Sequence, residues 1–166
     1  MARKLPELSH VQAARILFVA GEARRGSRAT IRPLGRAQVS LKGRKILYCV
    51  TLRPLFFRAS SPEQRVETLL HELLHVSQEF DGELHKGHRH SAMPNRKFKA
   101  LLQPLVKRYL GAADPALLSG LAHDGEVVAR QWLERPAGRA GKKQPYSEEH
   151  LFLGPVRMIT NRPLDS

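Results

Sequence analysis

The sequence predicts an α+β domain in which a small antiparallel or mixed sheet flanks one central helix, with further helices toward the C-terminus. Three observations carry this expectation: short alternating apolar runs between turn signals from Ala29 to Leu52, a capped amphipathic stretch from Pro62, and an apolar stripe at helical spacing from Asn95. At 166 residues with 42% hydrophobic content, the chain can bury a core without covalent staples. The domain is expected to span residues 1–135, followed by a basic linker and C-terminal tail over residues 136–166.

Taken in order, Ser9 reads as the cap of a first helix running through about Glu22, with Val11, Ala14, Ile16, Leu17 and Val19 as its apolar residues. Gly26 closes the basic turn that follows. Three short strands come next, Ala29 to Pro33, Ala37 to Leu41 and Lys45 to Leu52, separated by Pro33-Leu34-Gly35 and Lys42-Gly43-Arg44 turns. In the last strand Ile46, Tyr48 and Val50 alternate with Leu47, Cys49 and Thr51, so Cys49 belongs to the core rather than to a metal. As the only cysteine it excludes an internal disulfide framework and suits a reducing cytoplasm. The N-terminus lacks a long apolar signal region and no stretch approaches eighteen apolar residues, so neither secretion nor membrane association is expected.

The central helix has a local start signal. Ser60 and Ser61 precede Pro62, Glu63 and Gln64, which reads as a cap, a proline in the first helical position and acidic or amide groups in the first turn. Val66, Leu69, Leu70, Leu73 and Phe80 form an apolar arc, with Gln64, Thr68, His71, Glu72 and His75 on the opposite side. Asp81-Gly82 is expected to end this helix and turn the chain back toward the histidine face. Asn95 caps a second helix with Phe98, Leu101, Leu102, Leu105, Val106, Tyr109 and Leu110 on one stripe, bent at Pro104 and ended by Gly111. Asp114-Pro115 opens further helical sequence through Trp132 and Leu133, interrupted near Asp124-Gly125. Pro136 to Pro145 reads as linker, and Leu151 to Ile159 as either an added strand or a disordered tail.

Function is concentrated in His71-Glu72-Leu73-Leu74-His75 and in His85, His88 and His90, which put five of the eight histidines into one twenty-residue window. Residues four apart share a helical face, so His71 and His75 can offer two imidazole nitrogens to one tetrahedral ion. Glu72 projects beside that ion, where a carboxylate can take a proton from water. The third ligand is expected from the loop. His88 and His90 alternate ahead of the next helix and would point the same way in an extended segment, which favours His88, then His90, then His85. Zinc suits such a donor set. The expected chemistry is hydrolysis of a protein or peptide, with Glu72 as general base for a metal-activated water and Arg89 or His90 beside the developing oxyanion. A non-catalytic, metal-stabilised DNA-binding or regulatory module is the alternative, in which Glu72 only orients a structural site.

Charge adds a second expectation. Lys and Arg number 28 against 15 Asp and Glu, a net charge of +13, which favours polyanions. The basic residues are dispersed and aromatics amount to only 6%, so non-specific nucleic-acid affinity is more in keeping with the sequence than base readout.

The His71–His75 motif, Glu79-Phe80-Asp81-Gly82, Gly87-His88-Arg89-His90-Ser91 and the stretch around Phe98 together resemble zinc metallopeptidases of bacteria, archaea and phages related to SprT-like proteases. The resemblance covers about Lys45 to Leu110. It implies a zincin-like fold, zinc held by His71, His75 and His88, and Glu72 as the base. SprT-like proteins include DNA-associated proteases, so it also implies a protein substrate near DNA.

Overall fold

The computed structural model describes residues 1–20, 27–34, 40–41, 43–53, 56, 60–88, 90–112, 125–132 and 151–159. Within the segment expected as a first helix, the chain instead makes a 3-10 turn at Ala13–Arg15 and then strand β1, Ile16–Ala20. The physical reason is tertiary. β1 pairs in parallel with β5, Tyr48–Leu52, from Ile16↔Tyr48 to Ala20↔Leu52, and on its other side in parallel with β6, Gly125–Trp132, at Val19↔Arg130. A strand hydrogen-bonded on both edges is an apolar run such as Ile-Leu-Phe-Val, which periodicity alone cannot tell from a buried helical segment.

The expected strand Ala29 to Pro33 is β2, Ala29–Pro33, antiparallel to β5 with Ile31 opposite Val50. A two-residue ladder joins β3, Ser40–Leu41, to β4, Arg44–Lys45, and Gly43 turns between them at φ +71°, a left-handed angle that favours glycine. Residues 37–39 and 42 of that region lie outside the described residues. The expected strand Lys45 to Leu52 divides into β4 and β5, which lie in different sheets.

Among the described residues, two long helices pack with the sheet. α1 runs over Pro62–Leu73 and α2 over Asn95–Ala112. The cap of α1 is a reciprocal box: the Gln64 N–H donates to Ser61 Oγ at 3.3 Å, and the Ser61 N–H donates to Gln64 Oε1 at 3.0 Å. Tyr48 and Val50 share one core with Val66, Leu70 and Leu73 of α1 and with Phe98, Leu102, Leu105, Val106 and Tyr109 of α2. Leu5, Leu8 and Val11 close it from the N-terminal segment. Cys49 points to the other face of the strand and is also buried, as expected.

Of the helical sequence expected between Asp114 and Leu133, residues 113–124 lie outside the described residues, and Gly125–Trp132 is the strand β6. It pairs antiparallel with β7, Leu151–Ile159, which completes a mixed sheet in the order β2-β5-β1-β6-β7. Val127 and Val128 fit a strand, and β7, with Pro155 opposite Val128, is an edge strand, the position in a sheet that tolerates proline. The linker over residues 136–145 lies outside the described residues. Among the described residues, no helix is long and apolar enough to cross a membrane.

Candidate metal centre

α1 ends at Leu73, well before Asp81-Gly82, and the reason is visible in its last turn. The Leu74 N–H still bonds the Leu70 carbonyl, but His75 N–H goes to Glu72 O at 3.2 Å and Val76 N–H to Leu73 O at 3.1 Å, a tightening toward 3-10 geometry. Val76 then forms an antiparallel bridge with Leu84. The loop between them is pinned from the sheet: the Tyr48 hydroxyl donates to the Glu83 carbonyl at 2.8 Å and accepts the Gly82 N–H at 3.1 Å. Phe80, assigned from sequence to the helical arc, reaches the core from this loop. Its ring packs against Tyr48, tilted at 57° with centroids 5.1 Å apart, and the residue takes a left-handed φ of 49°. The His85 N–H closes the loop on the His75 carbonyl at 2.8 Å.

This route brings His90 back over α1. His71 Nε2 lies 3.3 Å from His75 Nε2 and 3.4 Å from His90 Nε2, and one ligand atom from each of the three rings falls within 4.8 Å of the others. Zinc–nitrogen bonds of about 2.0–2.1 Å at the tetrahedral angle separate neighbouring ligand nitrogens by about 3.3–3.4 Å. The two contacts therefore match the edge of such a tetrahedron, and the residues present fit a zinc-sized ion. Phe98 of α2 forms the wall behind them, 4.6 Å from the His71 ring centroid and 5.1 Å from that of His75. Sequence spacing assigns Phe98 only to a core stripe; nothing local to it signals the second role.

The other loop histidines lie differently. Lys86–His88 is a 3-10 turn, not the extended segment expected, so the alternation argued for His88 and His90 does not apply to it. His88 Nδ1 is 2.8 Å from the Leu74 carbonyl oxygen, and the His88 ring stacks on His85 at 3.9 Å. Among the described residues, neither His85 nor His88 belongs to a group of converging ligand atoms. Arg89 lies outside the described residues.

Burial sets the protonation of the site. Part of the side opposite the apolar arc is itself enclosed: Thr68 is buried, His71 is half-buried, and Glu72 and, just past the end of α1, His75 are each only 7% exposed. Burial, with repulsion from His90 and Arg28, lowers the His71 imidazole to about 4. Burial, then His71 and His90, likewise lowers His75 to about 4, against an opposing hydrogen bond from its ring to the His88 carbonyl. Both rings are thus neutral at pH 7, the form that donates an electron pair to a metal. The same burial raises the Glu72 carboxyl to about 7, opposed by the Ile31 backbone N–H that it accepts and by Arg53. That Ile31 contact comes from β2 and has no sequence signature. The group opens on a cleft of about 690 Å³ walled by Ala29, Thr30 and Ile31 of β2 and by Phe98, Lys99 and Leu102 of α2.

An α+β chain whose histidines converge near a buried carboxylate has a donor set suited to a metal ion. The chain belongs to the family described as "Putative phage metallopeptidase", whose model matches residues 1–101, from the N-terminus into α2. No curated protein and no solved structure matches it.

Proposed function

We propose that this protein is a zinc-dependent metallopeptidase in which His71, His75 and His90 hold the ion and Glu72 is the general base. The observation that carries the reading is the approach of His71 Nε2 to His75 Nε2 at 3.3 Å and to His90 Nε2 at 3.4 Å, with Glu72 buried one residue from His71. The three imidazoles would hold the ion, and when bound it would supply Lewis acidity for activating a water and polarising a carbonyl. Glu72 takes the proton of the attacking water on its carboxylate and passes it to the leaving amine nitrogen. The Ile31 N–H holds that carboxylate in place. β2 is an edge strand on the cleft wall, so an extended peptide can add to it and present its backbone to the site. The net charge of +13 favours acidic partners of the protein, nucleic acid included.

The test is zinc-loaded protein incubated with a degenerate peptide library, read by mass spectrometry. Wild type cleaves; Glu72→Gln retains one zinc per chain and loses roughly 10²–10⁴-fold in turnover. A wild-type chain that takes up no stoichiometric transition metal, or a Glu72→Gln variant that cleaves as well as wild type, overturns the reading.

A further inference from the structure

We propose that His88 is a positioning residue of the metal centre, which sets the tautomer of His75 and the approach of His90 without itself touching the ion. The proposal rests on the assignment of His71, His75 and His90 as ligands. His88 Nδ1 lies 2.8 Å from the carbonyl oxygen of Leu74, the residue before His75. A carbonyl only accepts, so Nδ1 of His88 carries the proton. In return, the His88 carbonyl accepts a hydrogen bond from the His75 ring. With Nε2 of His75 facing His71 at 3.3 Å, the nitrogen left for that bond is Nδ1, which leaves Nε2 of His75 as the bare electron-pair donor.

The clamp is therefore reciprocal. The side chain of His88 holds the backbone at the end of α1, and the backbone of His88 holds the side chain of His75. His90 follows two residues later, so this anchor also fixes where the loop delivers it. His85 braces the arrangement: its Nδ1 accepts the His88 N–H at 3.1 Å, its ring stacks on His88, and its own N–H bonds the His75 carbonyl at 2.8 Å. Gly87 belongs to the same construction, because a Cβ there would meet His85 Cε1 at 3.3 Å.

Three substitutions separate positioning from ligation. The amide nitrogen of Asn stands where Nδ1 of a histidine stands, whereas that of Gln stands nearer Nε2. Zinc affinity is measured by chelator competition, thermal midpoints are measured on the metal-free proteins, and absorption spectra are recorded at saturating Co²⁺. We expect His88→Ala and His88→Gln to weaken zinc binding by roughly 10–100-fold, as loss of a partner that orients a ligand does. His88→Asn stays within a few-fold of wild type, and every variant saturated with Co²⁺ keeps the wild-type absorption band. Equal affinity in wild type and His88→Ala overturns the proposal, as does a fall in the metal-free midpoint with no change in affinity, which marks a purely structural residue. Loss of affinity in His88→Asn as great as in His88→Ala, with an altered cobalt band, makes His88 a ligand and also overturns it. If His88→Ala does not fold, the comparison of Asn with Gln decides. A wild type that binds neither metal removes the ligand assignment itself, an outcome distinct from normal binding that His88 does not influence.

Discussion

Glu72 and His71 are neighbours in α1, yet one physical cause moves their proton affinities in opposite directions. Burial penalises whichever form is charged, so it raises the carboxyl to about 7 and lowers the imidazole to about 4. Under the proposed function, this suits the pair to separate tasks, a lone pair on the ring and a proton acceptor close to neutrality on the acid. The same logic ranks the histidines. Removing a ring whose nitrogen belongs to the converging group deletes a donor, whereas removing one outside it deletes support. His90→Ala is accordingly expected to weaken zinc binding by more than the roughly 10–100-fold that an orienting partner contributes, and by about as much as His71→Ala. Competition with a chromogenic chelator measures this, and a His90→Ala protein with wild-type affinity would return the third ligand to His85 or His88.

Among the elements, the start of α1 is stabilised by contacts that span four residues, Ser61 to Gln64. Ser61→Ala removes an acceptor for the Gln64 N–H and is expected to cost about 1 kcal/mol, within roughly 0.5–2 kcal/mol. Denaturant unfolding reads that loss, and zinc affinity at saturating stability stays unchanged because no ligand is touched. Locality also explains what the sequence makes legible. The cap, the proline and the amide of α1 are adjacent in the chain, the stripe of α2 repeats at helical spacing, and the bounds of β2 coincide with its expected range. β1 is not legible because its state is decided by Tyr48–Leu52 and Gly125–Trp132, distant in sequence. β6 is misread as helix for the same reason: its strand partners are β1 and β7. At the site, His71 and Glu72 lie in α1 and His75 two residues past its end, so the approach of the two rings is legible from their spacing. The direction of His90 depends on the early end of α1, the Tyr48 anchor and the 3-10 turn at Lys86–His88, none of which is written in the spacing of the histidines.

At the scale of the whole molecule, 28 basic against 15 acidic residues give a field that acts beyond any single contact. Affinity for duplex DNA, measured by fluorescence anisotropy, is expected to fall steeply with salt and to be the same for unrelated sequences; binding that ignores ionic strength would refute a charge-driven origin. Stability also carries the signature of the site. In the metal-free protein His71 and His75 titrate near 4 when folded and 6.5 when unfolded, so between these values the unfolded chain holds more protons. Their contribution is full above pH 6.5 and is lost as pH falls toward 4. Glu72 has the opposite sign: its folded value of about 7 exceeds the unfolded 4.5, so its contribution is full below 4.5 and is lost as pH rises through 7. Two histidines against one glutamate leave a net slope approaching one proton from pH 4.5 to 6.5, reduced because solvent screens the partly exposed rings. His10 and His85, also lowered mainly by burial, add to that slope. Metal-free stability should therefore rise with pH from 4.5 to 6.5, and Glu72→Gln, which deletes the opposing group, should steepen the rise. Urea unfolding across this range in the presence of a chelator tests both signs: a flat profile, or a shallower one in Glu72→Gln, would mean that the histidines and the carboxyl are not buried together.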